Sequence, residues 1–315
     1  MLFFGCYIFS QYKCIMDGYI EHFDDYQTII IYDFQLGFGG IGDCIKFFMY
    51  LLEKSIIDNT RLYYLINDID LEKYIQMRYD KLYIHRDEFA RLKYPYTVLN
   101  PFMLYDNYNE DLIKMPVQDV FKFSKSVILN KSVIFPDIKE YITLHVRLGD
   151  KYLETDKGFV NCKDDIRSYD ESELIRFIEK NGEKKILFCC DNNDYKRYIK
   201  DKYDSIILVN SEVAHTGLKN TNLKQILDTV TEFYIMTNSE KIVAGSRSGF
   251  SLLAAKYRNI EIEFLDTNDN NVQNENKIHK ERLKFGNIFI PKYNDSVFRL
   301  SNNRRKKSFK PMNIT

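Results

Sequence analysis

Short apolar runs that end abruptly in polar clusters set the pattern of this chain. Thr28 to Tyr32 (TIIIY) is continuous and β-branched, which reads as a buried strand. It runs into DFQLGFGGIGD and then into apolar positions spaced as a helix over 44–53. Strand, Gly-rich turn and helix together open a nucleotide-type α/β unit. Further strands are expected at 62–66 and 81–84, with a helix around 71–77 between them. The stretch that follows, with Pro95, Pro101 and Pro116, reads as a loop-rich region covering the mouth of this first half.

Phe135-Pro136-Asp137 closes the first half, and the boundary between two domains is expected there. Beyond it the alternation becomes regular. Strand patterns at 140–147, 185–190, 205–209, 241–244 and 261–265 are separated by helix patterns at 171–179, 194–200, 223–236 and 249–257. Alternation of this kind implies a parallel sheet covered on both faces. The expected organisation is therefore an N-terminal Rossmann-like domain over 1–137, a second over 138–300, and a basic polar tail over 301–315.

Composition narrows the partners rather than the fold. A chain of 315 residues with Lys+Arg and Asp+Glu both at 45 has no global field to attract nucleic acid or an anionic membrane. The six cysteines show no CxxC pair and no His at ligand spacing, so no metal site is expected. Cys189 and Cys190 fall inside an apolar strand pattern and read as buried thiols, which favours a reducing, cytoplasmic setting. The N-terminal MLFFGCYIFSQYKCIM is broken by Gln11 and Lys13 and is too short for a membrane span, leaving only a weak signal or anchor open.

Candidate chemistry gathers at the ends of strands. EYITLHVRLGDKY turns from apolar to polar at His145, Arg147, Gly149 and Asp150, and the carboxyl edge of an open α/β sheet is where its ligand crevice lies. Arg147 there either forks onto a phosphate or makes a strand-edge salt bridge. Asp191, directly after KKILFCC, either accepts from the adjacent donors of a guanine or caps the next helix. Gly245-Ser246-Arg247-Ser248-Gly249-Phe250-Ser251, between a strand and a helix, offers more hydroxyls than a cap needs and suits a phosphate cradle. His145 either packs beside a base or is satisfied structurally. In the first half Gly37, Gly39, Gly40 and Gly42 give the tight entry to a helix whose N–H groups can receive an anion, or a turn that only packs. Their spacing is not GxGxxG and no phosphate-loop Lys follows, which disfavours a dinucleotide or ATP site.

These residues resemble a family. HVRLGDKY is similar to the HxRxxD motif of the α1,2-, α1,6- and protein-O-fucosyltransferases, and FCCDNNDY is similar to their second motif, an apolar strand ending in Asp. LDTVTEFYIMTNSEKIVAGSRSGFSLLAA resembles their third, a helix Asp followed by a strand and a Ser-rich turn, and GGIGD resembles the Gly-rich turn after their first strand. The resemblance implies an α/β GT-B fold, two facing Rossmann-like domains with parallel sheets. The first would be the acceptor side, and the second would hold the donor substrate GDP-fucose. It implies that His145 and Asp191 hold guanine, that Arg147 meets the β-phosphate, and that Ser246, Ser248, Gly249 and Phe250 complete the cradle. Gly39, Gly40 and Gly42 would contribute to substrate binding from the first domain. Asp228 matches the helix Asp of the third motif without an assigned contact. Two positions depart from the family: Asp43 stands where Asn is usual, and Leu148 stands where the α1,6 branch has a second Arg.

The resulting expectation is an inverting, metal-independent and cofactor-free fucosyltransferase acting on a glycan or protein hydroxyl. Candidate bases are Asp43, favoured, and Glu154 or Asp156. Asp43 also makes GGIGD similar to the heptosyltransferase turn, so another nucleotide-sugar transferase of the same fold is the alternative. A non-catalytic nucleotide- or sugar-binding protein is the competing class.

Overall fold

The computed structural model describes residues 2–147, 169–211, 214, 216, 221–245 and 248–265. Helix α1 (Leu2–Glu21) precedes the first sheet and contributes Met16 and Tyr19 to the core. Strand β1 (Ile29–Asp33) is followed by helix α2 (Ile41–Asp58), β2 (Arg61–Leu65), β3 (Ile75–Met77), β4 (Tyr83–Ile84) and β5 (Tyr96–Leu99). Strand β6 (Phe121–Phe123) and helix α3 (Lys125–Ile134) lead into the second sheet. There β7 (Ile142–Val146), α4 (Glu171–Lys180), β8 (Ile186–Cys190), α5 (Asn193–Lys202) and β9 (Ile206–Ile207) precede α6 (Leu223–Met236), β10 (Lys241–Ala244), α7 (Gly249–Arg258) and β11 (Glu261–Phe264).

Both sheets are parallel, and each reverses its strand order beside its first strand. The first runs β4-β2-β1-β5, so the chain winds outward one way from β1 and then returns to pair β5 on the other side. The second runs β11-β10-β7-β8-β9, with the same reversal between β7 and β10. Crossovers diverge at such a reversal and leave a crevice at the carboxyl ends of the strands. Two Rossmann-like halves of this kind make the GT-B architecture.

Burial on both faces explains why the strands read as continuous apolar runs. Ile30 and Tyr32 of β1 pack with Phe47, Phe48, Leu51 and Leu52 of α2, while Ile29 and Ile31 face Leu65 and Ile84 on the other side. Each of these side chains contributes about 1.5–3 kcal/mol by leaving water. The core is continuous between the halves. The Phe123 ring of β6 lies 6.1 Å from that of Phe233 of α6, and Tyr257 of α7 donates to the Phe121 carbonyl at 3.3 Å.

Three expectations are corrected. The segment around 71–77 is not a helix: a single 3-10 turn over Asp70–Lys73 gives way to β3, paired antiparallel with β6. Ile75 and Met77 are buried around an exposed Gln76, and that alternation of period two outweighed the apparent helical spacing. The Pro-rich stretch is not all loop, because β5 lies between Pro95 and Pro101 and pairs with β1 over four residues. Its alternation of half-buried and buried positions is that of an edge strand, the one place a sheet tolerates flanking prolines. Lastly, the cap of α5 is Asn192, whose side chain accepts from the Tyr195 N–H at 2.9 Å, so Asp191 is not the cap.

Candidate functional site

The site is set by register. His145 pairs with Ala244 of β10 on one side and Cys189 of β8 on the other, and Val146 pairs with Cys190. One residue further along, the two chains leave the sheet together as Arg147 and Asp191, with Arg147 Nε 3.8 Å from Asp191 Oδ2. Their side chains are 17% and 9% exposed, so this ion pair is largely shielded from water. The Cys190 thiol also donates toward Asp191, at 3.7 Å.

The strand order brings the third element to the same place. Gly245 follows β10, and its N–H donates to the His145 carbonyl at 2.9 Å. A Cβ on Gly245 would stand 2.9 Å from the Val146 side chain and 3.0 Å from Tyr169, so no larger residue fits without displacement. Ser248 caps α7, its Oγ accepting from the Phe250 N–H at 3.3 Å, and Ser251 Oγ donates to the Ser248 carbonyl at 3.1 Å. The Phe250 ring stacks on His145 with centroids 5.6 Å apart and planes 27° from parallel. His145, Arg147, Asp191, Ser248, Gly249 and Phe250 are thus placed along one sheet edge. Ser246 and Glu154 lie outside the described residues, as do Arg247 and Asp156.

Burial, then the charges of Arg147 and Lys196, lower the His145 imidazole from its ordinary 6.5 to about 3. It is therefore neutral at physiological pH and offers one donor and one acceptor nitrogen. This carries a stability consequence. The unfolded chain binds a proton at His145 below its ordinary value while the folded chain refuses it, so stability falls as pH drops from about 6.5 toward 3. We expect wild type to lose about 2 kcal/mol more than His145→Gln between pH 7 and pH 5 in urea unfolding. Parallel losses in the two proteins would show that His145 protonates freely in the folded state.

The Gly-rich turn of the first half meets α7 directly. Gly39 has φ +124°, and a Cβ there would collide with the Asp43 carboxylate at 2.2 Å, so the turn needs glycine at this point. Gly40 caps α2, and its N–H donates to Asp43 Oδ2 at 3.3 Å. Gly42 faces the start of α7, where a Cβ would lie 3.3 Å from the Gly249 carbonyl carbon. Gly42 therefore lets two helix starts approach each other. Asp43 is a heavily bonded carboxylate: besides Gly40, its Oδ1 accepts from the Tyr105 hydroxyl at 2.8 Å and pairs with Lys46 Nζ at 2.7 Å.

Asp228 stands apart from the strand ends. It is buried, accepts from Asn130 at 3.0 Å and pairs with Lys224 at 2.5 Å, tying α6 to α3. Several residues of the region were not singled out from sequence. Thr216 accepts from the Ile41 N–H at 2.9 Å, linking the halves across 175 positions, and Tyr105 reaches Asp43 from 62 residues away. No sequence signal marks contacts of that range. Lys46, three residues after Asp43 on one helix, was available from spacing alone. Between the halves a cavity of about 200 Å³ is lined in part by Phe34, Leu36, Gly39, Asp68, Thr216 and Ile226. Among the described residues no cluster of three or more His, Cys, Asp or Glu is arranged to hold a metal ion, and no helix is long and apolar enough to cross a membrane.

No family model and no curated protein matches the chain. Solved structures do. A GDP complex of a mutant of Arabidopsis thaliana FUT1 is similar over 84% of this chain and 79% of its own, at 11% identity and a TM-score of 0.50. The chain has the fold of that plant protein. NodZ alpha-1,6-fucosyltransferase soaked with GDP-fucose is similar over 74% of this chain and 92% of its own, at 11% identity and a TM-score of 0.48. Apo POFUT1 is similar over 74% and 97%, at 10% identity and a TM-score of 0.44. Fucosyltransferases are thus among the structural neighbours, and the plant match agrees with the two-sheet architecture described above.

Proposed function

We propose that this protein is an inverting glycosyltransferase that moves fucose from GDP-fucose to a hydroxyl of a glycan or protein. The observation that carries the proposal is the pairing of Arg147 with Asp191 at the ends of adjacent strands, beside the His145–Phe250 stack and the start of α7. These groups sit where the strand order reverses, the position at which open α/β sheets bind nucleotides. The GDP carried by the plant FUT1 structure, which shares the fold, makes guanosine diphosphate the nucleotide to test first.

The chemistry asks for little more than placement and charge. The acceptor oxygen forms a bond to the anomeric carbon as the bond from that carbon to the diphosphate oxygen breaks, and the electron pair leaves with the diphosphate. Arg147 and the N–H groups at the start of α7 meet the charge that develops there. Neutral His145 and Phe250 flank the base, and Asp191 both orients Arg147 and offers an acceptor to guanine. The acceptor proton goes to a carboxylate, for which Asp43 and Glu154 are the candidates. The cavity between the halves combines apolar side chains with the hydroxyls of Thr216 and Thr221 and the carboxylates of Asp68 and Asp70, groups that can hydrogen-bond the hydroxyls of a sugar acceptor.

Thermal melts with GDP, UDP and ADP, followed by assay of GDP-fucose breakdown, test the proposal. GDP at about a hundred times its Kd should add about 2.7 kcal/mol of stability, while ADP and UDP add little. Stabilisation by ADP alone would move the protein to another nucleotide-sugar transferase. Tight GDP binding without turnover of GDP-fucose would leave a binding protein.

A further inference from the structure

Lys46 lies one turn beyond Gly42 on α2, on the helix face that meets α7. Because Gly42 has no side chain, the two backbones come close, and Lys46 Nζ stops 3.9 Å from where a Cβ on Gly249 would be. The ammonium thus stands beside the first turn of α7, the positive end of that helix. A cation at this end is repelled, and its side chain is only 16% exposed, so water offsets little of the charge.

Two features hold Lys46 there. Its Nζ is 2.7 Å from Asp43 Oδ1, and it lies over the rings of Phe47, Tyr105 and Tyr108 at 4.6, 5.0 and 5.6 Å from their centroids. The rings fix the position of the ammonium and would keep doing so if its anionic partner changed. Asp43 meanwhile is shared among Lys46, the Gly40 N–H and the Tyr105 hydroxyl, so a single carboxylate serves three donors. An anion with several oxygens in front of Ser248, Gly249 and Phe250 would meet both the N–H groups of α7 and the Lys46 ammonium.

We propose that Lys46 supplies the second cation of the diphosphate site from the first half of the chain, opposite Arg147 from the second. It pairs with the phosphate held at the start of α7 and in doing so loosens its bond to Asp43. This rests on the reading of the α7 start as a phosphate cradle and extends it to a residue of the other half. One consequence is order: Asp43 gains an open oxygen for the acceptor proton only once the donor is in place. No covalent step is involved, only an exchange of ion-pair partners.

Calorimetric titration of GDP and guanosine into wild type, Lys46→Met and Lys46→Arg tests this. Met keeps the stem against the rings and removes the charge; should it melt early, the neutral Lys46→Gln, which can still donate to Asp43, takes its place. The expected result is a loss of about tenfold or more in GDP affinity with guanosine affinity unchanged, a shallower salt dependence of GDP binding, and recovery of most of the affinity in Lys46→Arg. Unchanged GDP affinity in the neutral variant overturns the inference, and so does an equal loss for GDP and guanosine, which would mark Lys46 as a packing residue. Wild type that fails to bind GDP at all would remove the cradle itself, and that outcome is separate because it is read before any variant is made.

Discussion

Arg147→Lys is expected to lower turnover of GDP-fucose by the order of 10²-fold or more while changing the melting temperature little. The asymmetry follows from what the two side chains can do at this position. A lysine ammonium can still pair with Asp191, which lies beside it by strand register, so the folded state keeps its ion pair. It cannot present two parallel N–H groups to the oxygens of a departing diphosphate, and the lost stabilisation belongs to the transition state. The effect should therefore fall on kcat rather than on KM. Turnover near wild type in Arg147→Lys would remove Arg147 from the chemistry and leave it as a strand-edge ion pair.

The second large effect is structural. Lys196→Met should cost about 3–5 kcal/mol, because it leaves the Glu232 carboxylate in the core without its counter-ion. The two groups meet at 2.5 Å with side chains 3% and 2% exposed, joining α5 to α6 beneath the strand ends. The double variant Lys196→Met, Glu232→Leu removes both charges and should recover most of that loss. Denaturant midpoints of the single and double variants check this, and a single variant as stable as wild type would show that Glu232 finds another partner. Lys196 also helps to keep His145 neutral. Its removal should therefore raise the pH at which the acid loss of stability attributed to His145 levels off and make that loss smaller, with its onset near 6.5 unchanged, an effect that packing alone would not produce.

How much of this was legible in the chain depended on the range of the interaction. Ile142–Val146, Ile186–Cys190 and Lys241–Ala244 are apolar runs of strand length, and Leu223–Met236 and Gly249–Arg258 begin at residues that cap through their own side chains. Hydrophobic period and capping act within a few residues, so these elements, and the polar residues at their ends, can be read locally. The β3 strand and the β5 edge strand could not be read this way. Three or four residues carry too little pattern, and their partners lie far along the chain: β3 pairs with Phe121–Phe123, and β5 pairs with β1.

The sequence by itself determined which groups stand at strand ends: His145, Arg147 and Asp191 each follow apolar residues directly, and Ser248 lies in the short turn after KIVA. The tertiary structure alone decided which of them meet. Reversal of the strand order set β7 between β8 and β10, and this placed Arg147 on Asp191 and Phe250 on His145. The same packing turned Gly42 toward Gly249 and gave Asp43 its partners Tyr105 and Lys46. The reason is that a strand's own residues specify its length and burial, whereas its neighbours follow from which crossovers bury the most apolar surface on both faces of the sheet, a property of the whole chain.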